Sequence, residues 1–589
     1  MKLDYSRDKL LTDFSKITLR DRYMLPGEES PQEAFARAAE AFADNEAHAQ
    51  RIYDYASQMW FMFATPVLSN GGTKRGLPIS CFLNYVDDSR EGITEHFTEN
   101  AFLSSFGGGI GGYWGDVRSA GTKTSKGSES TGVVPFLKVV DAEMLAFSQG
   151  ITRRGSYAGY MDISHPEIEE FLDVRKPTGG DTNRKCLNLH HGVIVSDKFM
   201  EKIHLATKEP GFDDSWELID PHSQEVKKTV SARALWVKIL QNRMETGEPY
   251  IMFEDAVNNN LPEFQKKKGL RVHQSNLCSE ITLATNEERT AVCCLSSVNL
   301  EYYDEWKKVP AFIPDLVRFL DNVLEYFIQN APSSLKKAKY SAKRERSIGL
   351  GAMGFHAYLQ KNLVPFESAI AAALNQEIFS HIKTEADKET RKLAVERGAC
   401  PDDDSCTVRN AHLLAIAPNA SSSILCGNTS PSIEPFRANA FTQKTKSGSN
   451  LLKNKYLDKL LMKKIGHADV YDETWRSIVI NKGSVQHLDC LTEDEKDIFK
   501  TAVEINQAWL IEHAAERQEY ICQSQSLNLF FPPDVNKADL HNAHMLAWAK
   551  NLKTLYYLRS EAISRADEVS NQAKREIIFE QSDCLSCEG

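Results

Sequence analysis

The sequence predicts a large α/β domain preceded by helices. Segments with strand character and segments with helix character alternate along most of the 589 residues, and no internal repeat or low-complexity linker divides them. Such alternation is typical of folds in which helices cover a sheet, so one large domain fits better than a row of small modules. Hydrophobic residues make up 42% of the chain and charged residues 26%, which excludes disordered, collagen-like and coiled-coil classes.

The first elements are helical. Ser30 followed by Pro31 and Glu33 is a capped helix start, and apolar residues at helical spacing then predict one amphipathic helix from about 31 to 60. Residues 64–80 contain turn signals, among them Asn70-Gly71-Gly72. Residues 91–105 are again predicted to be helical.

The later elements mix both types. We predict strands over 186–190 and 192–195, a long helix from Ser368 to Arg397 that Gly398 ends, and short strands over 412–417 and 553–558. From about Ser560 to Gly589 the chain is charged, and its end is expected to be a mobile tail.

Charge and hydropathy exclude several classes of function. The net charge is 70 − 81 = −11, whereas a general nucleic-acid binder needs a basic surplus. No apolar run approaches the ~18 residues of a membrane span, and the first residues lack the apolar stretch of a signal peptide. We therefore expect a cytoplasmic protein, in which the twelve cysteines are buried or redox-active thiols more often than structural disulfides.

A glycine-rich stretch from Gly107 to Gly112 matches the G-x-G-x-x-G pattern of dinucleotide-binding proteins. That pattern works only between a strand and a helix, with the phosphates at the helix N-terminus. Here a predicted helix precedes the glycines and no helix signal follows them. We reject dinucleotide binding and expect a flexible loop beside a helix.

Two cysteines, Cys584 and Cys587, form a C-x-x-C pair near the end of the chain. A zinc site needs two further ligands, and no second pair supplies them, so no metal site is predicted. A dithiol on a tail is useful as a carrier of reducing equivalents. The equal alternative is a dispensable tail with two incidental thiols.

Asn276, Cys278 and Glu280 stand at alternate positions of one segment. If that segment is extended, the amide, the thiol and the carboxylate project to the same side and share one pocket. A cysteine taken alone is more often a core thiol. Its two neighbours make a reactive site the better hypothesis.

Five separated motifs, in chain order, resemble those of the large (alpha) subunit of class I ribonucleoside-diphosphate reductase, and the similarity runs from Thr65 to Cys587. The motifs are Asn276-Leu277-Cys278-Ser279-Glu280-Ile281, Cys293-Cys294-Leu295-Ser296-Ser297-Val298-Asn299-Leu300, Arg346-Ser347-Ile348-Gly349-Leu350-Gly351-Ala352-Met353-Gly354, Pro418-Asn419-Ala420-Ser421-Ser422-Ser423 and Leu555-Tyr556-Tyr557-Leu558-Arg559. The resemblance implies a helical N-terminal region over 1–62, a ten-stranded α/β barrel of two antiparallel half-barrels with a central finger loop over 63–560, and a C-terminal segment with a redox tail over 561–589.

The resemblance also implies roles for the cysteines. Cys278 would become a thiyl radical that takes the 3′-hydrogen of the substrate ribose, Glu280 would be the general base toward the 3′-hydroxyl, and Asn276 would hold a substrate hydroxyl. Cys81 and Cys293 would be the dithiol that reduces the ring.

Cys294 is a competing neighbour that only the alignment disfavours. The tail pair Cys584 and Cys587 would reduce the resulting disulfide by exchange, with thioredoxin or glutaredoxin as the external reductant.

Small residues at a turn suit a diphosphate cradle, although a Ser-rich turn would be the default without the resemblance. The implied substrate contacts are Thr65, Ser80, Asn276, Pro418, Asn419, Ala420, Ser421 and Ser422.

Tyr556 and Tyr557 are by default an aromatic pair on a strand. The resemblance makes them a relay of electron and proton to Cys278. The chain would then bind no cofactor itself and would need a small beta subunit with a metal centre as the source of the radical. A homodimer of large subunits is implied as well.

An allosteric site for dNTP or ATP is implied at Asp88, which would bind effector ribose, and Arg118, which would bind phosphate. Arg153 and Arg154 would lie on the loop that links effector to substrate. Because 64 residues precede Thr65, the N-terminal ATP-cone of many relatives is expected to be absent.

Three alternatives remain at this point. They are a cobalamin-dependent reductase of the same fold, a nucleotide-binding regulatory protein without catalysis, and a plain dithiol oxidoreductase that uses the tail.

Overall fold

The computed structural model describes residues 1–147, 155–445 and 448–560, without the side chains of 441–450. Its strands are β1 Phe61–Phe63, β2 Cys81–Tyr85, β3 Gly109–Tyr113, β4 Ser156–Asp162, β5 His190–Val195, β6 Ser215–Ile219, β7 Val226–Ser231, β8 Tyr250–Phe253, β9 Ala291–Asn299, β10 Ile348–Met353, β11 Ala440–Thr445, β12 Gly448–Lys453, β13 Leu529–Phe531, β14 Thr554–Leu555 and β15 Leu558–Ser560.

Helices surround these strands. They are α1 Asp13–Arg22, α2 Pro31–Phe42, α3 Glu46–Ser57, α4 Thr65–Asn70, α5 Arg90–Ser105, α6 Val134–Ala146, α7 Ile168–Phe171, α8 Asp197–Lys208, α9 Ala232–Thr246, α10 Glu254–Asn259, α11 Glu263–Lys267, α12 Tyr303–Trp306, α13 Phe312–Asn330, α14 Lys336–Glu345, α15 Phe355–Lys361, α16 Ala369–Arg397, α17 Ala420–Leu425, α18 Lys455–Lys464, α19 Ala468–Ile480, α20 Glu493–Ile498, α21 Gln507–Gln518 and α22 Lys537–Ala549.

The first half of a barrel consists of five parallel strands in the order β2, β3, β4, β5 and β8. The second half starts with β9, which pairs with β10 in parallel. Extended chain continues the half beyond β10: Leu350 bridges Leu414, and Ile416 bridges Gln525, both in parallel. β13 and β15 then pair in parallel at its far edge.

The two halves meet antiparallel at two junctions, β2 with β9 and β8 with β14. Backbone hydrogen bonds complete the circle. Tyr556 N donates to the Leu527 carbonyl oxygen at 2.9 Å, which joins the segments of β15 and β13, and Ile416 N donates to the Ser524 carbonyl oxygen at 3.0 Å, which joins residues 412–417 to the β13 segment. Counted round this circle, the extended segments number ten: β2, β3, β4, β5, β8, 554–560, 523–531, 412–417, β10 and β9. The predicted ten-stranded barrel of two antiparallel half-barrels is confirmed.

The glycine-rich stretch is part of the barrel. Gly109–Tyr113 is the buried strand β3 between β2 and β4, so the prediction of a flexible loop is wrong, although α5 does precede the glycines and dinucleotide binding stays excluded. A Cβ atom at Gly111 would lie 2.0 Å from the carbonyl oxygen of Ser275, and one at Gly112 would lie 1.7 Å from the hydroxyl of Tyr157. These glycines are needed because the Ser275 backbone approaches β3 closely on its inner face and the Tyr157 side chain does so on the opposite face.

The N-terminal region is helical, as predicted, but the single helix expected over 31–60 is two. α2 ends at Phe42, and the Asn45 side chain accepts a hydrogen bond from His48 N to begin α3. Asn is a strong helix N-cap, so it starts a new helix although the apolar spacing continues. The predicted helix ended by Gly398 is confirmed as α16, with Ser368 as its N-cap.

Four local predictions need correction. Residues 65–70 form the short helix α4 instead of a turn, because Pro66 is accepted in a first helical turn. Residues 186–189 are irregular, and the strand begins only at His190. Residues 412–417 are extended but form only isolated bridges, and 553–558 is divided into β14 and β15. No helix among the described residues is long and apolar enough to cross a membrane.

Candidate active site

A loop between α11 and β9 enters the barrel and turns back inside it. At its tip Ser279 has φ +67°, and its N–H lies 3.4 Å from the carbonyl oxygen of Asn276. The tip is therefore a tight turn, so the segment is not extended, which was the condition for a shared pocket by alternation. Asn276, Cys278 and Glu280 are nevertheless all about 1% exposed, inside the barrel. We call residues 274–285 the finger loop.

Hydroxyl groups from the second half-barrel hold the tip of the finger loop. The Ser526 hydroxyl lies 2.5 Å from the Cys278 carbonyl oxygen and 3.1 Å from Oε2 of Glu280. The Thr554 hydroxyl donates to the Ser279 carbonyl oxygen at 2.7 Å. From the first half-barrel, the Tyr160 hydroxyl donates to the Asn276 carbonyl oxygen, also at 2.7 Å. The thiol and the carboxylate are thus fixed by both halves of the fold.

The Asn276 amide is only half used. Its Oδ1 accepts a hydrogen bond from Ile281 N at 3.1 Å, while its Nδ2 is buried and makes no hydrogen bond to the described residues. Leaving a buried donor unsatisfied costs about 1–3 kcal/mol. A bound polar group that accepts from Nδ2 recovers that free energy, so the amide is suited to hold a ligand.

Cys81 and Cys293 are direct cross-strand partners at the junction of β2 and β9, so their side chains share one face of the sheet. The Gln523 amide donates to Cys293 Sγ at 3.6 Å. Burial raises the pKa of the Cys293 thiol well above its ordinary value, and the nearby Glu280 and Cys81 add to the shift. The sulfur is therefore a protonated thiol at neutral pH, able to donate a hydrogen.

Cys294 follows on the same strand and projects to the opposite face. Burial also raises the pKa of this thiol, and Asp321 of α13, outside the barrel, is among its charged neighbours. Glu280 contributes to the pKa of Cys293 but is not among the causes for Cys294. The geometry favours Cys293 as the thiol of the interior site.

Aromatic side chains surround Cys278 on the other side. The rings of Tyr556 and Tyr557 have centroids 4.3 Å apart, and Tyr250 lies 4.8 Å from Tyr556. These residues and Tyr160 form one buried cluster that includes Cys278. The two tyrosines stand between β14 and β15 rather than on one strand as predicted, which lets adjacent rings lie close together.

Comparisons with known proteins agree with this geometry. The family model "Ribonucleotide reductase, barrel domain" matches residues 79–407 and 404–558, and "Ribonucleotide reductase, all-alpha domain" matches 9–76. The chain is 46% identical to the ribonucleoside-diphosphate reductase large subunit of Invertebrate iridescent virus 3, covering 100% of both chains. The putative large subunit of Frog virus 3 is 48% identical over 92% of each.

A solved structure matches as well. The Actinobacillus ureae class Id ribonucleotide reductase alpha subunit superposes with a TM-score of 0.81 at 35% identity, covering 95% of this chain and 98% of that one. The chain belongs to the ribonucleotide reductase large-subunit family. It is an oxidoreductase of that family, as its motifs predicted.

The residues predicted to bind substrate in this large subunit border one end of the barrel. Ser80 precedes β2. Thr65, at the start of α4, follows β1, whose Phe63 pairs with Ser296 of β9. Its hydroxyl lies 3.1 Å from that of Tyr23.

The predicted diphosphate cradle from Pro418 to Ser422 contains the first turn of α17. Asn419 has φ +56° before that helix. Its Oδ1 accepts from the Ser297 hydroxyl at 3.0 Å, and its Nδ2 donates to the Ala352 carbonyl oxygen at 3.1 Å. These contacts attach the cradle to β9 and β10 near the C-terminal ends of the two strands.

The predicted effector residues of the reductase are brought together. Arg118 Nε lies 2.9 Å from Oδ2 of Asp88, and Nδ1 of His222 lies 3.2 Å from the same oxygen. Asp88 follows β2 and Arg118 follows β3, so this pair lies beyond the strand ends opposite Cys81. Arg153 and Arg154 lie outside the described residues, and so do Cys584 and Cys587.

Sequence reasoning missed Gln523, Ser526, Thr554, Tyr160 and Tyr250. Gln523 and Ser526 lie in a segment for which no helix or strand was predicted, Thr554 lies in a predicted strand, and all three side chains are of types that are common on protein surfaces. Only the aromatic residue Tyr250, at the start of a buried apolar strand, gave a signal that could have been followed.

Proposed function

We propose that this large subunit reduces ribonucleoside diphosphates to 2′-deoxyribonucleoside diphosphates by thiyl-radical chemistry. The observation that supports this most directly is the finger loop, with Cys278 between the half-used amide of Asn276 and the carboxylate of Glu280. The Cys81–Cys293 pair on the adjacent barrel junction supplies the reductant. The relatives at 46% and 48% identity are named as large subunits of ribonucleoside-diphosphate reductase, the second as a putative one.

The reaction would begin and end at Cys278. Its sulfur radical takes the 3′-hydrogen atom of the ribose, and Glu280 accepts the 3′-hydroxyl proton. A thiol of the Cys81–Cys293 pair protonates the 2′-hydroxyl, which leaves as water. The two thiols give two electrons and two protons in total and form a disulfide, Glu280 returns its proton to the 3′-oxygen, and Cys278 returns its hydrogen atom to C3′. Each turnover then consumes one dithiol and restores the radical.

The environment of the dithiol suits this order of events. Burial keeps Cys293 protonated, and a thiol, unlike a thiolate, can protonate a leaving hydroxyl. The finger loop is enclosed by both half-barrels, so water is excluded from the radical. These features favour reduction over radical loss to solvent.

The radical would reach Cys278 through Tyr557 and Tyr556 from a small beta subunit, whose metal centre supplies the oxidant. Ring separations of 4.3 Å between the tyrosines and their shared cluster with Cys278 support such a relay. Cys584 and Cys587 would re-reduce the internal disulfide and be reduced in turn by thioredoxin or glutaredoxin.

Effectors and assembly are further parts of the proposal. The Asp88–Arg118 pair would bind a dNTP or ATP, with Arg153 and Arg154 linking that site to the substrate, and two large subunits would form the working dimer. Residues Pro418–Ser422 would bind the substrate diphosphate through backbone N–H groups at the start of α17.

Mixing the purified chain with a candidate beta subunit, a ribonucleoside diphosphate and a dithiol, then measuring deoxynucleotide, tests the proposal. We expect product only with both subunits, and none from Cys278→Ser despite unchanged nucleotide binding. Product formed with adenosylcobalamin and no beta subunit would favour the cobalamin-dependent alternative. Unimpaired turnover by Cys278→Ser would refute the radical mechanism.

A further inference from the structure

A buried glutamine to which the reaction above gives no role contacts one sulfur of the dithiol. Gln523 is fully buried, and its Nε2 lies 3.6 Å from Sγ of Cys293. Nε2 also donates to the Ile348 carbonyl oxygen of β10, at 3.0 Å. Because a carbonyl oxygen only accepts hydrogen bonds, it fixes the amide with Nε2, and not Oε1, toward the sulfur. The sulfur of Cys293 is therefore the acceptor in this contact.

The second half-barrel holds Gln523 rigidly. Its backbone N–H donates to the Leu414 carbonyl oxygen at 3.2 Å, and its own carbonyl oxygen accepts from Nζ of Lys553 at 2.8 Å. On the neighbouring strand β10, a Cβ atom at Gly349 would lie 2.9 Å from the Cys293 sulfur, so the glycine leaves the space that the sulfur occupies. The donor and the sulfur are thus in place before any charge develops on the sulfur.

The carbonyl group of the Gln523 side chain is not used in the same way. Its Oε1 is buried and makes no hydrogen bond to the described residues. An unsatisfied buried acceptor costs about 1–3 kcal/mol, a cost that an apolar side chain of similar volume avoids. The contribution of this amide therefore lies in its two N–H groups. One of them satisfies the Ile348 carbonyl oxygen, and the other points at the sulfur.

Negative charge on the Cys293 sulfur is costly in these surroundings. Burial raises the pKa of the thiol well above its ordinary value, and Cys81 and Glu280 add to the shift, whereas the Gln523 hydrogen bond lowers the pKa. Reduction of the ribose nevertheless requires the dithiol to give up its protons. A fixed donor aimed at an atom that becomes negative during a reaction stabilises the charge without reorganisation, as in an oxyanion hole.

We propose that Gln523 is a catalytic residue that stabilises negative charge on Sγ of Cys293 while the ribose is reduced. This inference rests on the proposed function. One thiol of the Cys81–Cys293 pair gives its proton to the 2′-hydroxyl, the C2′–O bond breaks as water leaves, and that sulfur becomes a thiolate. The other thiol gives a hydrogen atom to C2′.

The two sulfurs then form a bond that holds one extra electron. That electron passes to the C3′ carbonyl as Glu280 returns its proton to the 3′-oxygen, and a neutral disulfide remains. Whichever thiol reacts first, the negative charge reaches Sγ of Cys293, at the latest when the S–S bond forms. Gln523 donates a hydrogen bond to the charged sulfur and gives up no proton itself.

The test compares two substrates in two variants, Gln523→Glu and Gln523→Met. Glutamate keeps the shape of the side chain but presents an acceptor to the sulfur, and methionine removes both N–H groups. In a single turnover of the pre-reduced chain with the beta subunit, both variants should form deoxynucleotide from a ribonucleoside diphosphate about 10- to 100-fold more slowly. A 2′-chloro-2′-deoxynucleoside diphosphate loses chloride, which needs no proton, so no thiolate forms as it leaves. Chloride release should therefore change less than about threefold.

Gln525→Met is the matched control. Gln525 is also buried, but its amide donates to the Ala514 carbonyl oxygen of α21, at 2.8 Å, so both rates should stay within about threefold of the natural chain. Chloride release also reports whether each variant is folded and able to generate the radical.

Equal losses with both substrates in Gln523→Glu would overturn the inference and leave Gln523 a packing residue. Deoxynucleotide formation at the natural rate in the same variant would overturn it as well. Full turnover by Cys278→Ser or Cys293→Ser would instead refute the proposed function. Loss in both of these serine variants, with full activity in Gln523→Glu, would refute only the role of Gln523.

Discussion

Cys81 and Cys293 lie directly opposite each other across the junction of the two half-barrels, one on β2 and the other on β9. Neither half-barrel contains the pair by itself. The finger loop is held in the same way, by Tyr160 from one half and Ser526 from the other. The site thus depends on how the halves are joined, and this dependence leads to separate predictions for neighbouring residues.

Cys293→Ser should abolish the reduction of the ribose, whereas Cys294→Ser should leave turnover within about threefold of the natural chain. The reason is that only Cys293 faces Gln523 and the interior, while Cys294 faces α13. Deoxynucleotide formation per enzyme in the presence of the beta subunit is the measurement. Full activity in Cys293→Ser together with loss in Cys294→Ser would reverse the assignment.

Glu280→Gln should lower kcat by about 10²- to 10⁴-fold, because the amide cannot take a proton from the 3′-hydroxyl. The shape of the side chain and a contact to the Ser526 hydroxyl are retained, so substrate binding should change little. Glu288→Gln is a matched control on the following loop, since Glu288 is exposed. A rise in KM with unchanged kcat would mean that Glu280 binds substrate without acting as a base.

Tyr556→Phe should stop turnover with the beta subunit while the chain remains folded. Only an oxidisable hydroxyl is lost, and the ring still fills its buried place beside Tyr250. Thermal unfolding checks the fold, and Tyr340→Phe, at a 43% exposed position, is the control. If Tyr556→Phe turns over at the rate of the natural chain, Tyr556 takes no part in radical transfer and only packs against its neighbours.

Gly111→Ala should destabilise the protein by about 1–3 kcal/mol or more, because the new methyl group overlaps the finger-loop backbone. The relevant separation is 2.0 Å to the Ser275 carbonyl oxygen. Gly466→Ala, where nothing lies within 4 Å, should be close to neutral. Denaturant unfolding of both variants decides this, and equal stability would contradict the packing described at β3.

Cys584→Ser combined with Cys587→Ser should block turnover driven by thioredoxin or glutaredoxin once the internal dithiol is spent. A small permeating dithiol should restore part of the rate, because it can reach a Cys81–Cys293 disulfide without the tail. Rates measured with both reductants provide the comparison. Equal losses with protein and small-molecule reductants would place the tail thiols in the chemistry of the ribose instead.

The family motifs made the barrel and the interior residues predictable from sequence. Cys278, Glu280 and Cys293 stand in short motifs, and the roles proposed for them come from the resemblance of those motifs to the family's. The choice between Cys293 and Cys294 was open, because the face of a strand cannot be read from two adjacent identical residues. The antiparallel register with Cys81 provides the missing information.

Local structure was less predictable where tertiary contacts override sequence preference. Glycines at 109, 111 and 112 suggest a loop, yet they form β3 by pairing with β2 and β4, and Ser275 and Tyr157 lie too close to positions 111 and 112 for larger side chains. The turn at Ser279 is likewise stabilised by Thr554, far away in the chain. Neither contact leaves a periodic signal.

During synthesis of the chain, the finger loop is made well before the residues that fix its tip. The residues that fix its tip, Ser526 and Thr554, follow the loop residues they bind by 248 and 275 positions. At about 5–20 residues per second on the ribosome, the loop waits on the order of tens of seconds for them. A chain that ends before Ser526 contains Cys278 and the Tyr160 contact to the loop, but it lacks the two hydroxyl contacts from the second half-barrel. Under the proposed function, the tip that carries Cys278 acquires all of its supporting contacts only when the last barrel segment has been added.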